Sequence, residues 1–381
     1  MINSSLRVIY SFVGKFADKG TGETAYNLIK PFFGKRYLKK IITTSFLSTD
    51  LPDELFSCIK TVIIRGLRFF PWGDSFNYLV RDNIFDLRAS RLVRDCDLFF
   101  GWSNASLFSL RKAKKIKAKT IIFSGSTHIL THNRLIKEEY NKFGKEYNEN
   151  RWLINRHLQE YREADYIGVH SNFAVNSFLE NGIPREKLIF IPYGIDTEKY
   201  KPLDKKDNIF RVLAVGRICL RKGIQYLLEA WSRLRLENSE LILLGQIDGQ
   251  MEGILAYYKK RCIFKICDFD PDTLSYYSQA SVVACPSIEE GSTGVAYEAL
   301  SCGVPVIASV NAGVDHIIID GKTGFIVPVR DSLALENKIK FLYDNRENLA
   351  EMSKTAREDM VNNHSYEKFA LDIVSIFENL K

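Results

Sequence analysis

The sequence has 381 residues, of which 46% are hydrophobic and 26% are charged, as is typical of a soluble globular protein. This length is ample for two domains of ordinary size. It contains no uncharged apolar run of the roughly 18–20 residues that span a bilayer, and the N-terminal MINSSLRVIYSFVG lacks the pattern of a signal peptide. The seven cysteines include no Cys-x-x-Cys pair, which argues against a disulfide framework or a zinc site and indicates a reducing compartment.

The net charge of +7 is distributed unevenly along the chain. Residues 1–200 hold 31 lysines and arginines against 21 aspartates and glutamates, whereas residues 201–381 hold 22 against 25. Basic surfaces attract anionic partners, and the stretch CIKTVIIRGLRFF (58–70) combines basic with aliphatic and aromatic residues, as an interfacial helix does. We therefore expect the first half to contact an anionic membrane surface. Each basic run, including FFGKRYLKK and RKAKKIKAK, is also compatible with the solvated face of a surface helix.

Short runs rich in valine and isoleucine alternate with longer segments of helical periodicity. Continuous apolar strands separated by helices predict parallel sheets that are covered on both faces. In the first half, strands are predicted at residues 6–12, 39–46, 97–103, 119–126, 165–171 and 187–194. In the second half, they are predicted at residues 210–217, 241–246, 263–269, 281–287, 304–309 and 324–329. The fold class is therefore α/β, with two doubly wound, Rossmann-like domains facing a cleft.

The polar segment PYGIDTEKYKPLDKKDN (192–208) carries two prolines and is typical of a linker. We place an N-terminal domain at residues 1–195 and a C-terminal domain at residues 196–381. The last segment, HSYEKFALDIVSIFENLK, has apolar residues at helical spacing and predicts a closing helix, which we expect to pack back on the N-terminal domain.

The stretch SIEEGSTGVAYEALSCGVPVIAS (287–309) places two glutamates, Glu290 and Glu298, between a predicted strand and the next one. Ligands of doubly wound sheets bind at the carboxyl ends of the strands, where the free N–H groups of a helix N-terminus favour a phosphate. Gly291 and Gly294 would let such a ligand approach the backbone closely. Carboxylates accept hydrogen bonds from paired hydroxyls, so the two glutamates are suited to a sugar or a ribose.

In this setting the stretch resembles the signature of the family 4 glycosyltransferases, a large retaining group with the GT-B fold. The family's Pro-Ser, Glu-Gly and second glutamate are matched by Pro286, Ser287, Glu290, Gly291 and Glu298. The resemblance implies that Glu290 contacts the transferred sugar and that Glu298 contacts the nucleotide ribose. Ser292 and Thr293 replace the usual Phe-Gly, so the sugar specificity of the usual loop is not carried over, although we assign this loop to the donor.

Other segments match the family in order. VGRICLRKGIQYLLEA resembles its strand with Gly-Arg and Lys-Gly, which implies that Arg217 and Lys222 hold the donor diphosphate. Two cations at a strand end would indeed neutralise a leaving pyrophosphate. KGTGETAYNLIK resembles the first-domain glycine loop, which implies that Gly20 and Gly22 line the cleft. GIPREKLIFIPYGID resembles the crossover between the domains, and DGKTGFIVP resembles the turn before the last strand.

A histidine is also expected at the donor sugar, because members of the family often place one after a first-domain strand. His128 follows the predicted strand TIIFSGS, and we assign it this role. His132 is the alternative, four residues further on. The remaining histidines are expected to be structural.

The resemblance implies a retaining transfer of a hexose or a related sugar from a UDP- or GDP-linked donor, held mainly by the second domain. The acceptor would be a glycan or a lipid-linked glycan in surface polysaccharide or lipopolysaccharide synthesis, at the cytoplasmic face of the membrane. No Asp-x-Asp motif stands out at a strand end. We therefore expect Arg217, Lys222 and a helix N-terminus to neutralise the diphosphate, with no metal and no other cofactor. A site between two domains also predicts closure on binding.

Three alternatives remain. A nucleotide-sugar epimerase or hydrolase on the same fold would release nucleotide without an acceptor, and a non-catalytic sugar-binding protein would bind without turnover. A nicotinamide dehydrogenase is disfavoured, because no G-x-G-x-x-G follows the first strand. Nucleic acid is not an expected partner, because the basic runs belong to no recognisable binding module.

Overall fold

Two parallel β-sheets, one of seven strands and one of six, organise the chain in the computed structural model, which describes residues 6–61, 73–147 and 149–380. The strand orders are β3-β2-β1-β4-β5-β6-β7 and β10-β9-β8-β11-β12-β13. In each sheet the order reverses beside the first strand, so a crevice opens there at the carboxyl ends of the strands. The predicted α/β fold with two Rossmann-like domains is confirmed.

The first domain is built from alternating strands and helices that cover both faces of its sheet. Its strands are β1 (Val8–Phe16), β2 (Leu38–Phe46), β3 (Phe56–Cys58), β4 (Leu98–Trp102), β5 (Lys119–Phe123), β6 (Tyr166–Val169) and β7 (Leu188–Phe190). Its helices are α1 (Thr21–Gly34), α2 (Gly73–Ser90), α3 (Leu107–Lys115), α4 (Ile129–Lys142), α5 (Arg151–Glu163) and α6 (Asn172–Glu180).

The second domain repeats this arrangement. Its strands are β8 (Phe210–Val215), β9 (Ser239–Leu244), β10 (Lys265–Cys267), β11 (Val282–Cys285), β12 (Val306–Ser309) and β13 (Gly324–Val327). Its helices are α7 (Ile224–Arg233), α8 (Glu252–Lys259), α9 (Thr273–Gln279), α10 (Gly294–Ser301), α11 (Ser332–Asp344) and α12 (Arg346–Asn363), and α13 (Tyr366–Glu378) closes the chain.

All twelve predicted strands occur in the structure, and the central strands of both sheets are short runs of mostly buried apolar residues. The central residues of β8 and β11 are almost completely inaccessible, as expected for parallel strands with helices on both faces. Sequence analysis missed β3, a three-residue edge strand that pairs only with β2 and has no alternating or continuous apolar pattern. The predicted domain boundary lies between β7 and β8.

The closing helix α13 lies on the first sheet rather than on the second. Phe377 contacts Phe32 of α1 and Phe100 of β4, with ring centroids 4.8 and 5.1 Å apart. Phe369 and Ile373 join the same buried cluster. The chain therefore returns to its N-terminal domain after completing the second one.

The segment that was predicted to lie at a membrane surface falls mostly outside the described residues. Of residues 58–70 only 58–61 fall within the described ranges, and the remainder lies outside them. Across the described parts of the chain, no helix has both the length and the apolar character needed to cross a bilayer.

Candidate active site

Two loops of the second domain meet at the carboxyl ends of β8 and β11. Gly223 has φ +69°, and a Cβ atom there would lie 1.9 Å from the carbonyl oxygen of Pro286, so only glycine allows the loops to touch. The amide of Ile288 donates to the carbonyl of Arg221 at 2.8 Å across the same contact. The basic turn after β8 is therefore held against the acidic loop after β11.

Lys222 and Glu290 form an ion pair at this junction. Nζ of Lys222 lies 2.6 Å from Oε1 of Glu290, and a guanidinium nitrogen of Arg221 lies 2.9 Å from the same oxygen. Glu290 is only 9% exposed. Burial disfavours its charged form, but the two cations outweigh that effect and lower the pKa of Glu290 below its usual value. Two positive groups and an ionised carboxylate thus face one point of the crevice.

Glu298 lies in α10 and is held by an aromatic residue of α9. The hydroxyl of Tyr277 donates to Oε2 of Glu298 at 2.6 Å, and Tyr277 is completely buried. Burial raises the pKa of Glu298 to about 6, a shift that the charge of Glu23 reinforces and the Tyr277 hydrogen bond opposes. One carboxylate oxygen of Glu298 is thus fixed by Tyr277.

The loop between the two glutamates joins the domains. A Cβ atom at Gly291 would lie 2.3 Å from the carbonyl oxygen of Gly125, in the loop after β5. Glycine at position 291 therefore allows this loop to pack closely on the first domain, a role that sequence analysis did not foresee. At Gly294, the first residue of α10, an added Cβ would meet only the hydroxyl of Tyr193 at 3.8 Å, so the approach that was expected for a ligand is open there.

Ser292 and Thr293, which replace the family's usual Phe-Gly, precede α10 directly. Thr293 is 3% exposed, and its amide donates to the carbonyl of Ala312 at 3.2 Å. Its side chain makes no capping hydrogen bond to the first turn of α10. Because a helix N-terminus carries unpaired N–H groups and a partial positive charge, this end of α10 is suited to an anion.

Arg217 stands at the rim of the crevice. Its side chain is 68% exposed and pairs with Asp248 at 3.3 Å. The structure therefore brings Lys222, Glu290 and Arg221 into contact. Arg217 does not join this cluster and lies at the edge of the crevice with its long side chain exposed.

The structure does not bring His128 to the crevice. Its ring is 1% exposed and packs between Tyr161 and Phe178, with both centroids 5.1 Å away. Its Nδ1 accepts from the amide of Leu130 and caps α4, and burial lowers its pKa to about 4. The expected cleft-facing position of His128 is therefore wrong, because the chain turns into α4 at this residue and points its side chain into the core.

His132, the alternative, lies about one turn further on, within α4, whereas His128 is the N-cap of that helix. Its Nδ1 lies 2.9 Å from Oε2 of Glu289, the residue before Glu290. It is thus His132, and not His128, that reaches the second domain beside the acidic loop.

The first-domain glycine loop lies across the crevice from the loop after β10. Gly20 has φ +75° and precedes α1, and a Cβ atom at Gly22 would lie 2.3 Å from the carbonyl of Lys15, so both positions depend on glycine. Nζ of Lys19 lies 5.7 Å from the ring centroid of Phe269 in the second domain. Lys19 of this loop therefore contacts the second domain, and the predicted role of Gly20 and Gly22 in lining the cleft stays a prediction.

The statement that no Asp-x-Asp lies at a strand end is wrong. Asp268 and Asp270 flank Phe269 directly after β10, and Oδ1 of Asp270 accepts from the amide of Asp272 at 2.8 Å, which shapes the loop. Among the described residues, no three His, Cys, Asp or Glu side chains gather in the way that a metal ion would need.

Sequence analysis also missed three residues of the site: Glu289, Arg221 and Tyr277. Glu289 and Arg221 are immediate neighbours of residues that it did select, and adjacency in a charged loop was the only available signal. Tyr277 is one of two adjacent tyrosines in α9, and nothing in the sequence distinguishes the one that faces Glu298.

Comparisons with known proteins show which family the chain resembles. Models of two families, described as Glycosyltransferase Family 4 and Glycosyl transferases group 1, match residues 35–199 and 196–359. The amylovoran biosynthesis glycosyltransferase AmsK of Erwinia amylovora is 23% identical over 352 residues, which cover 88% of this chain and 82% of that protein. The lipopolysaccharide 1,2-N-acetylglucosaminetransferase of Salmonella typhimurium is 30% identical over 183 residues, which cover 42% of this chain and 48% of that protein.

A solved structure shares the whole fold. Anabaena HepE in complex with UDP matches with a TM-score of 0.71 at 16% identity, and the match covers 98% of this chain and 100% of that chain. The two family models together span residues 35–359 without a gap between the domains. The chain therefore belongs to the family 4 glycosyltransferases and has their two-domain GT-B fold.

Proposed function

We propose that this glycosyltransferase moves a hexose or a related sugar from a UDP- or GDP-linked donor to a glycan or lipid-linked acceptor, with retention of configuration, in the synthesis of a surface polysaccharide or lipopolysaccharide. The observation that carries the proposal is the Lys222–Glu290 pair. Glu290 lies in the loop that leads into α10, and Glu298 lies in α10 itself. This combination offers cations for a diphosphate and carboxylates for the hydroxyls of a sugar and a ribose.

The individual roles that we propose combine the family resemblance with this geometry. Lys222, Arg217 and the first turn of α10 would neutralise the negative charge that develops on the leaving diphosphate. Glu298 would accept from a ribose hydroxyl while Tyr277 holds one of its carboxylate oxygens. Glu290 would orient the sugar rather than attack it. In a retaining reaction without an enzymic nucleophile, the acceptor hydroxyl would attack from the face that the phosphate leaves, and a phosphate oxygen would take its proton.

The names of the similar proteins support a nucleotide-sugar donor and a polysaccharide product. HepE has been solved with UDP, with UDP and glucose, and with UDP-glucose. AmsK is named for amylovoran biosynthesis. A glycan acceptor that is anchored in a membrane would also suit the basic excess of the first domain, and we propose that this domain binds anionic membrane surfaces from the cytoplasmic side. A protein that ignored vesicles of anionic phospholipid at low salt would contradict that part.

The experiment is a binding panel with the purified protein. UDP-glucose, UDP-N-acetylglucosamine, GDP-mannose and ADP-glucose would each be added, and the melting temperature would be compared between the wild type, Glu298→Gln and Lys222→Met. Lys340→Met, an exposed substitution on α11, is the matched control. We expect one nucleotide class to stabilise the wild type and the control but neither site variant. If no nucleotide sugar stabilises the wild type, the proposed function is wrong.

A further inference from the structure

Glu289 is a completely buried carboxylate that belongs to the second domain but is bound mainly by the first. Its Oε1 accepts from the hydroxyl of Ser126 at 2.6 Å and from the amide and the hydroxyl of Thr127 at 3.1 and 2.7 Å. Its Oε2 lies 2.9 Å from Nδ1 of His132. Its exposed fraction is 0%. A buried carboxylate is tolerated only when it is paired and hydrogen-bonded, and here most of the partners lie on the other domain.

Arg221 couples this carboxylate to its neighbour in the chain. One guanidinium nitrogen lies 2.9 Å from Oε1 of Glu290 and 3.5 Å from Oε2 of Glu289, and it also donates to the carbonyl of Glu289 at 2.9 Å. The side chain that fixes the acidic loop is therefore shared between the two glutamates. A displacement of Glu289 would move Arg221, which is one of the two cations that contact Glu290.

Gly291, the residue after Glu290, is also held by contacts with the first domain. The hydroxyl of Ser171 in the first domain donates to the carbonyl of Gly291. The α-carbon of Gly291 packs on the backbone of Gly125, so no side chain fits between the domains there. Glu290 thus lies between two consecutive anchor points, Glu289 and Gly291, that both depend on the first domain.

We infer that Glu289 is a positioning residue through which the first domain sets the geometry of Glu290, so that Glu290 reaches its sugar-binding position only when the domains are together. This inference rests on the proposed function, because it assigns to the Glu289–Arg221–His132 network the part of donor affinity that comes from the sugar. The nucleotide part should be independent of it, since Glu298 and Lys222 belong to the second domain.

The charges around His132 give the network a pH dependence. Burial by itself lowers the pKa of His132, but the charge and hydrogen bond of Glu289 outweigh it, so the pKa is raised above its ordinary value. Glu149 adds to this rise and Arg221 opposes it, while His157, also nearby, is buried and held neutral. The ionic contact is thus complete while His132 is protonated, and it weakens as the pH rises through the raised pKa.

The test compares the affinity for a nucleotide sugar with that for its parent nucleotide. The probes are UDP-glucose with UDP and GDP-mannose with GDP, measured by titration calorimetry from pH 5.5 to 8.5. The ratio of the two dissociation constants isolates the contribution of the sugar. The variant is Glu289→Gln, which keeps the shape of the side chain but cannot satisfy all of its donors and loses its charge.

Glu139→Gln is the matched control. Glu139 is also 0% exposed and also bridges the domains, through Gln225 at 2.8 Å and Arg330 at 2.6 Å, but it has no contact with the acidic loop. His132→Gln is the second variant, and it keeps a hydrogen-bonding side chain without a titratable ring.

We expect Glu289→Gln to lose roughly tenfold or more of the preference for the nucleotide sugar, as when a charged hydrogen bond is removed, with the affinity for the nucleotide nearly unchanged. His132→Gln should flatten the pH dependence of that preference, and Glu139→Gln should retain it. A preference that is unchanged in both Glu289→Gln and His132→Gln, or equally lost in Glu139→Gln, overturns the inference while the proposed function stands. A wild type that binds none of the probes overturns both.

Discussion

The hydroxyl of Tyr277 donates a 2.6 Å hydrogen bond to Glu298, and Tyr277 is itself completely inaccessible to solvent. This hydrogen bond fixes one oxygen of the carboxylate. Burial nevertheless disfavours the charged form of Glu298 and raises its pKa to about 6. The ionised form of Glu298, which the proposed contact with a ribose hydroxyl requires, is therefore disfavoured by burial. Functional sites commonly hold groups in this way at a cost in stability.

Glu298→Gln should make the protein more stable at neutral pH and less able to bind a nucleotide. The pKa of Glu298 rises from 4.5 to about 6 on folding, so its stabilising contribution is complete below pH 4.5 and is lost as the pH rises through 6. The variant has no such loss. Its free energy of unfolding should gain about 2 kcal/mol on the wild type between pH 4.5 and pH 7. Urea titrations at both pH values measure the difference, and the exposed substitution Glu351→Gln controls for the removal of one charge.

Lys222→Met should weaken donor binding more than it weakens the fold. Lys222 lies 2.6 Å from Glu290, and Arg221 remains on the same carboxylate after the substitution. The loss of one charge-assisted contact to a diphosphate corresponds to roughly 1.5–3 kcal/mol, or about 10- to 150-fold in affinity. Titration calorimetry with the nucleotide diphosphate that the panel identifies provides the measurement. An affinity within a factor of about two of the wild type would contradict the assigned role.

Gly223→Ala should be strongly destabilising. The position has φ +69°, where a side chain costs about 1–2 kcal/mol, and the new Cβ would lie 1.9 Å from the carbonyl oxygen of Pro286. We expect a loss of at least ~2 kcal/mol in the free energy of unfolding, together with loss of nucleotide binding, because the two loops of the site would separate. Gly253→Ala is the control, since Gly253 is in α8 with nothing within 4 Å of an added Cβ. Equal melting temperatures for both variants would show that the loop contact is not needed.

Gly291→Ala should keep the domains apart. An added Cβ would lie 2.3 Å from the carbonyl oxygen of Gly125, and backbone atoms cannot yield as a flexible side chain can. We expect a larger radius of gyration by small-angle X-ray scattering, with binding of the free nucleotide retained by the second domain. A scattering curve identical to that of the wild type would argue that the contact adapts.

Chelation should leave donor binding unaffected. Arg217, Lys222 and the N-terminus of α10 are proposed to neutralise the diphosphate, so no divalent ion is required for that task. Calorimetric titration of the nucleotide sugar with and without excess EDTA makes the comparison. Asp268 and Asp270 are the first residues to replace if EDTA lowers the affinity, because they follow β10 at the same edge of the sheet.

Much of the fold could be predicted from local patterns. Most predicted strands contain a run of apolar residues, and parallel strands that are buried on both faces require such runs. The edge strand β3 was missed because an edge strand is short and only partly buried, so its composition does not stand out. The glutamates Glu290 and Glu298 and the cation Lys222 were recognisable because they occur at fixed distances from glycines and prolines in short segments that resemble the family signature.

The sequence by itself thus determined the two sheets, the loops at their carboxyl ends and the residues that resemble a family signature, since all of these depend on neighbours along the chain. Tertiary structure alone decided which side chains meet: Tyr277 with Glu298, Arg221 with both glutamates, and His132 rather than His128 with the second domain. A strand's composition reflects burial, which leaves a local pattern. The direction of a side chain depends on where a helix begins and on how two domains pack, and neither leaves a mark in the spacing of residues.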